Sequence, residues 1–321
     1  MNFLRAVLAI VTWPLALAAL AVSLLAQGGR VNVKLDVLTH FAPLYLAVSI
    51  VALLLATLTP RGGRAALLVI SLLAVGGNLA LMAPEFLDAA PAATSVEAPG
   101  RSLKIIQFNA WGSNPRGDEA VEWLASQDAD ILVVEEAPKL RDKLIARGFH
   151  ASCLACGAVI FAREEPIRTF AEPIRDGRPS YLASATFRDA AGEFTVVGVH
   201  RYWPIRFERD RVQTANLHDY VRDLPKDRLI LAGDFNSTPW SFARRREDID
   251  LGLIRRTRAM FSWPAAQLSH NRLPAPFPYL PIDHLYAGSA WSTVKVERGP
   301  ELGSDHYPVI VTLAPVEAGA N

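Results

Sequence analysis

Hydrophobic positions along the chain fall into two regimes. Up to residue 83 they run almost unbroken: LRAVLAIVTWPLALAALAVSLLA (residues 4–26), FAPLYLAVSIVALLLATL (41–58) and AALLVISLLAVGGNLALMA (65–83) hold one charge between them, Arg5. Each stretch is close to the ~17 to 25 residues that a helix needs to cross a bilayer core. None carries the polar stripe of a helix on a soluble protein, and the first is longer than the ~7 to 15 apolar residues of a signal peptide. Three transmembrane helices are therefore predicted over residues 1–83. Arg5, Arg61 and Arg64 on one side outweigh Arg30 and Lys34 on the other, so the positive-inside rule favours an inner N-terminus and an extracytoplasmic remainder.

Residues 84–102, PEFLDAAPAATSVEAPGRS, have no periodicity and are rich in Ala and Pro, as in a semi-extended linker. From 103 to 314 the pattern changes to short β-branched runs between polar or Gly/Pro turns: LKIIQFNAWG, DADILVVEEAP, GAVIFAR, LASATFRD, FTVVGVHRYWP, RLILAGDFNSTP, IDHLYAG and YPVIVTLAP. Two stretches have helical spacing. GDEAVEWLASQDA places Val121, Leu124 and Ala125 on one face, and ERDRVQTANLHDYVRDLP places Val212, Leu217, Tyr220, Val221 and Leu224 inward. Many strands with occasional helices predict an α/β (α+β) four-layer sandwich, two mixed β-sheets flanked by helices. A parallel doubly wound fold would need a helix after nearly every strand and a Gly-rich phosphate loop, and neither GxGxxG nor GxxxxGK[ST] occurs. Residues 315–321 read as a tail.

Charge narrows the partners. The chain is 51% hydrophobic with a formal net charge of +1, and beyond residue 100 acidic and basic residues balance. A domain that grips nucleic-acid phosphates is clearly basic, so nucleic acid is not the favoured substrate. Arg244, Arg245 and Arg246 with Arg255, Arg256 and Arg258 remain a candidate basic patch or headgroup contact. The two cysteines, Cys153 and Cys156, are too few for a structural zinc site. A local disulfide and a free pair both stay open.

Polar residues gather where strands end. Asn109 closes KIIQF, Glu135 and Glu136 close DILVV, His200 closes FTVVGV, and Asp234 and Asn236 close LILAG; Asp283 and His284 open one run, and Asp305 and His306 precede another. Carboxylates beside buried strands cost several kcal/mol unless paired or bound to a cation. Oxygen donors without Cys favour a hard divalent ion: Mg²⁺ first, with Mn²⁺ or Ca²⁺ suited to the same donors. Acceptors mixed with His and Asn suit phosphate-ester hydrolysis.

The ordered set NAWG, VVEEAP, GVHRYWP, GDFNSTP, IDH and GSDHYP resembles the endonuclease/exonuclease/phosphatase superfamily, over about residues 103–313. The resemblance implies that Glu136 and Asp305 are metal ligands and that Asn109 supports the metal and phosphate site. It implies that Asp234 orients or deprotonates the attacking water with Asn236 as its partner, that His200 and His306 contact phosphate, and that Asp283 pairs with His306. One main metal site is expected, because Trp111 stands where some nucleases of the family have a second carboxylate. Glu135 replaces the Gln of many relatives and either tightens the cation site or points into the opposite layer. His150, His218, His270 and His284 read as structural, and no GxSxG elbow supports a serine hydrolase.

The substrate is less specified. Trp240, Phe242, Phe261, Trp263, Phe277 and Tyr279 lie where the superfamily carries its recognition elements, and TPWS and SWP resemble its bacterial membrane-anchored members. A membrane-anchored phosphodiesterase or phosphomonoesterase of the bacterial cell membrane is expected, with a lipid phosphate ester as candidate substrate. An extracytoplasmic nuclease and a non-catalytic membrane binding protein are the alternatives.

Overall fold

The computed structural model describes residues 2–87, 101–172, 180–265, 267–268 and 273–316. Most of the linker, His270 and the end of the tail lie outside the described residues. The chain divides into two units.

One unit is helical. Its long elements are α1 (Asn2–Gln27), α3 (Ala42–Leu58) and α4 (Arg61–Leu87), with a single turn, α2 (Val33–Asp36), between the first two. All three candidate spans are long and apolar enough to cross a membrane. Helix α4 continues through Pro84 to Leu87, four residues into the stretch expected to be linker, and breaks helical geometry only at Gly62 and Gly63. Small residues let the helices approach: Ala16, Ala52 and Ala56 are fully buried against Leu67. The Asn78 side-chain amide donates to Ala74 O at 2.8 Å within the bundle. Outward positions stay apolar, with Ile10 70% and Leu24 63% exposed. The unit also takes in Ser237–Glu247, from far along the sequence.

The second unit is the predicted sandwich. One six-stranded sheet holds β1 (Leu103–Asn109), β2 (Ile131–Glu135), β3 (His150–Ala151), β4 (Ala158–Ala162), β13 (Trp291–Arg298) and β14 (Val309–Pro315). The other holds β5 (Arg168–Ala171), β6 (Leu182–Asp189), β7 (Gly192–His200), β8 (Leu229–Asp234), β9 (Ile254–Arg255) and β12 (Asp283–Ala287). A short hairpin, β10 (Gln267–Leu268) and β11 (Leu273–Pro274), stands apart. Each sheet has one parallel pair, β1 with β2 and β7 with β8, among antiparallel neighbours. Those pairs are joined by α5 (Gly117–Ser126) and α7 (Phe207–Arg222), as a parallel connection demands.

Three apolar clusters make the layers. Ile105, Val133 and Ile160 of the first sheet meet Val196, Ile230 and Leu285 of the second. The outer face of the first sheet packs Ile106, Phe108 and Leu132 against Val121 and Leu124 of α5 and Leu144 of α6 (Arg141–Ala146). The outer face of the second packs Val197, Val199 and Leu231 against Leu217 and Val221 of α7.

Two expectations change. Val212 is 49% exposed, because the buried stripe of α7 begins instead at Gln213 and recurs at 217 and 221. The arginine patch dissolves: Arg244, Arg255 and Arg256 are buried. Arg255 pairs with Asp248 at 3.2 Å, and Arg256 donates to the carbonyls of Gly288 and Trp291. Cys153 and Cys156 form a disulfide.

Candidate active site

Strand alternation builds the site. Side chains two apart share a face, and on five strands the face that meets the other sheet is apolar along its length and polar at one end. Ile105 leads to Gln107 and Asn109, Val133 to Glu135, Val196 to His200, Ala232 to Asp234, and Leu285 to Asp283. Register aligns these ends: Asn109 lies opposite Glu135, and Asp234 opposite both His200 and Asp283. Both parallel pairs deliver their carboxyl ends to this rim.

Asp234 is the hub, 1% exposed. Its Oδ2 accepts from the side-chain amides of Asn109 at 3.0 Å and Asn236 at 3.1 Å, and Oδ1 accepts the Asn236 backbone N–H at 2.8 Å. The Nε2 atoms of His306 and His200 stand 3.7 and 3.8 Å from Oδ2. His306 is held from behind, with Nδ1 2.8 Å from Asp283 Oδ2. The Gln107 side-chain amide donates to Asp283 Oδ1 at 2.8 Å and to Glu135 Oε2 at 2.9 Å. Ser304 Oγ donates to Asn109 O at 2.6 Å and accepts the His306 N–H at 3.1 Å, which ties the GSDH turn to β1.

Burial and neighbouring charge set the protonation states. Burial pulls the His306 imidazole down, but the Asp283 and Asp234 carboxylates outweigh it and push it up to about 10. Burial, with the Asp283 charge, raises Asp234 to about 6 against the pull of His306 and His200. Burial also acts to raise Asp283, yet the His306 charge and hydrogen bond leave it below the ordinary Asp range. Glu135 is pushed well above the ordinary Glu range by burial and by the Asp283 and Asp234 charges.

Three residues just past strand ends have positive φ without being glycine: Trp111 (54°), Glu136 (51°) and Asn236 (50°). Such conformations cost about 1 to 3 kcal/mol each and persist where the surroundings over-determine them. At Glu136 and Asn236 they turn the side chains toward the rim. The Trp111 N–H donates to Asn109 Oδ1 at 3.0 Å, and the Gly112 N–H donates to Glu136 Oε2 at 3.1 Å.

Glu136 and Asp305 flank the network. Glu136 Oε1 faces His200 Nε2 at 3.7 Å with its side chain 37% exposed. Asp305 Oδ2 accepts the Trp263 indole N–H at 3.3 Å. Among the described residues, Asp234, Asp283 and His306 bring two carboxylates and an imidazole close enough to share one cation. Within that trio Asp283 and His306 are committed to each other. The carboxylate and amide oxygens at the rim fit a hard divalent ion.

All eight expected residues line one region. Gln107, Glu135 and Ser304 belong to it as well. Gln107 and Ser304 were missed in the sequence; the signal available for each was its place two residues before Asn109 and His306, respectively. Gly233 lies within β8, where a Cβ would come 1.9 Å from Val199 O. Trp240 and Phe242 are buried and so offer no aromatic surface to a substrate. Trp203 packs edge-on against Trp263 at 6.0 Å, and the Tyr279 ring lies 5.9 Å from that of Trp263, so these half-buried rings form an aromatic group.

Solved structures share this fold. An endonuclease/exonuclease/phosphatase from Bacteroides vulgatus is 19% identical, with a TM-score of 0.55 over 67% of this chain and 100% of that one. One from Beutenbergia cavernae is 18% identical, with a TM-score of 0.53 over 69% and 73%. The Neisseria 3′ phosphatase NExo, solved with product DNA hairpin, is 21% identical, with a TM-score of 0.52 over 65% and 98%. No curated protein matches the chain. The sequence profile of the Endonuclease/Exonuclease/phosphatase family matches residues 106–306, and the chain belongs to that family of hydrolases acting on phosphate ester bonds.

Proposed function

We propose that the protein is a membrane-anchored, divalent-metal-dependent phosphoesterase that attacks a phosphodiester or phosphomonoester with water. The observation that carries this is Asp234, a buried carboxylate oriented by two amides and facing two imidazoles. With its pKa raised to about 6, Asp234 is still ionised at neutral pH and basic enough to take a proton from water. His306, kept protonated by Asp283, donates to the developing charge on a phosphate oxygen, and His200 contacts the same group. Asn236 and Asn109 hold Asp234 in place. Glu136 and Asp305 are the residues that would hold Mg²⁺, which when bound neutralises phosphate charge; Asn109 supports them.

The catalytic part is assigned to residues 103–314 and the anchor to residues 1–83. Loop charges and the Cys153–Cys156 disulfide support an extracytoplasmic site at the bacterial cell membrane. A lipid phosphate ester is favoured because the half-buried aromatics Trp203, Trp263 and Tyr279 adjoin Asp305 and offer apolar surface beside the phosphate position. A nuclease is the second reading, favoured by the neighbour solved with DNA.

The test uses full-length protein in detergent with phosphatidic acid, sphingomyelin, plasmid DNA and bis-p-nitrophenyl phosphate. Hydrolysis with Mg²⁺ that stops with EDTA and falls about a hundredfold or more in Asp234→Asn is expected. Equal rates in the variant would remove Asp234 as the water-activating residue, and no hydrolysis by wild type would leave a non-catalytic binding protein. Preference for DNA, weakening steeply with salt, would replace the lipid assignment.

A further inference from the structure

Within the helical unit, Ser237–Glu247 makes polar contacts with α4, through Arg245 and the Leu81 carbonyl, and with the connection between the first two apolar helices. Asp36 there is 2% exposed. Its Oδ1 accepts the Phe242 N–H at 2.9 Å and its Oδ2 the Ala243 N–H at 2.7 Å. His40, 3% exposed, sets Nδ1 2.9 Å from Thr238 Oγ1 and 3.1 Å from the Thr238 N–H.

These contacts close a helix end. A helix leaves its first four N–H groups without intrahelical partners. In α8 (Phe242–Leu251) the Ser241 hydroxyl accepts the third, from Arg244 at 3.0 Å, and the Ser241 carbonyl accepts the fourth, from Arg245 at 3.1 Å. The first two go to Asp36, some two hundred residues away, whose charge also opposes the helix dipole. Close packing leaves no slack: a Cβ on Gly29 would come 2.8 Å from Asp36 Oδ1 and 3.0 Å from Phe242 Cδ2. A buried carboxylate is tolerated only with its oxygens satisfied, so Asp36 and the helix end need each other.

Two residues before Thr238 is Asn236, at φ 50°, whose backbone N–H and side-chain amide both hold Asp234. We propose that Asp36 and His40 are positioning residues of the phosphoesterase, fixing the chain from Thr238 onward and through it the backbone of Asn236. The connection between the first two spans is then part of the enzyme and not only of its anchor. The proposal rests on the assignment of Asp234 and Asn236 as the water-activating pair.

The test compares full-length wild type, Asp36→Ala, His40→Leu and His40→Asn in detergent, with bis-p-nitrophenyl phosphate and Mg²⁺. Displacing Asn236 acts on the chemical step, so kcat should fall about tenfold or more in Asp36→Ala and His40→Leu while KM stays within about twofold. His40→Asn keeps an acceptor for the Thr238 N–H and should recover most of kcat. Wild-type kcat in both disruptive variants, or no recovery in His40→Asn, overturns the proposal. Amide hydrogen exchange over residues 234–243 provides a readout without turnover, and faster exchange in Asp36→Ala is expected. If wild type itself cleaves nothing, the phosphoesterase reading has failed, and unchanged exchange would then overturn the positioning role separately.

Discussion

His306 Nδ1 lies 2.8 Å from Asp283 Oδ2, with both side chains buried, so the imidazole is fixed in orientation and held as a cation by the residue behind it. The Nε2–H edge is therefore the one directed at Asp234 and the rim.

Replacing Asp283 by Asn keeps the shape and removes the charge. The imidazole then loses the main influence that raises its pKa. Phosphoesterase activity should drop about a hundredfold, with the alkaline limb of the kcat profile moving to lower pH. An unshifted limb would separate His306 from the rate.

The same pair makes stability depend on pH. His306 is raised from 6.5 to about 10 in the folded protein, so the native state binds this proton more tightly than the unfolded chain. Its contribution is complete below pH 6.5 and is lost as pH rises toward 10, with a slope of at most about 1.4 kcal/mol per pH unit. Melting temperature of metal-free wild type should fall across that window more steeply than that of His306→Gln. Parallel curves would contradict the shift.

Gly233→Ala should destabilise the sandwich by about 3 kcal/mol or more. The added methyl meets a backbone oxygen, Val199 O at 1.9 Å, and neither strand of the parallel pair can yield without parting from the other. A thermal melt of the full chain reads the effect, and an unchanged midpoint would refute it.

Trp263→Phe keeps a ring in the aromatic group but deletes the donor to Asp305 Oδ2. If Asp305 is a ligand, Mn²⁺ affinity measured by calorimetry should weaken about tenfold, as for other groups that orient metal ligands. Unaltered affinity would count against Asp305.

The sandwich and its rim were legible because alternation is local. VVEE, GDFN and GSDH announce themselves as polar ends of apolar runs, and the eight expected residues line one region. Gln107 and Glu135 were harder, since their meaning depends on Asp283, a partner on the other sheet. Val212 was misplaced because hydrophobicity, not the phase set by Gln213, Leu217 and Val221, guided the face. Arg244 and Arg256 looked like a basic patch until packing buried them. Asp36 and His40 gave no signal, because their partners lie 206 and 198 residues away.

The continuity of core and site on the same inner faces has an outcome for misfolding. Sliding β8 or β1 by one residue would turn Ala232 or Ile105 outward and, in the same motion, carry Asp234 or Asn109 off the rim. Packing failure and catalytic failure are then one event. A molecule with a misaligned strand is both unstable and silent, so quality control that senses exposed apolar surface also removes every badly built active site.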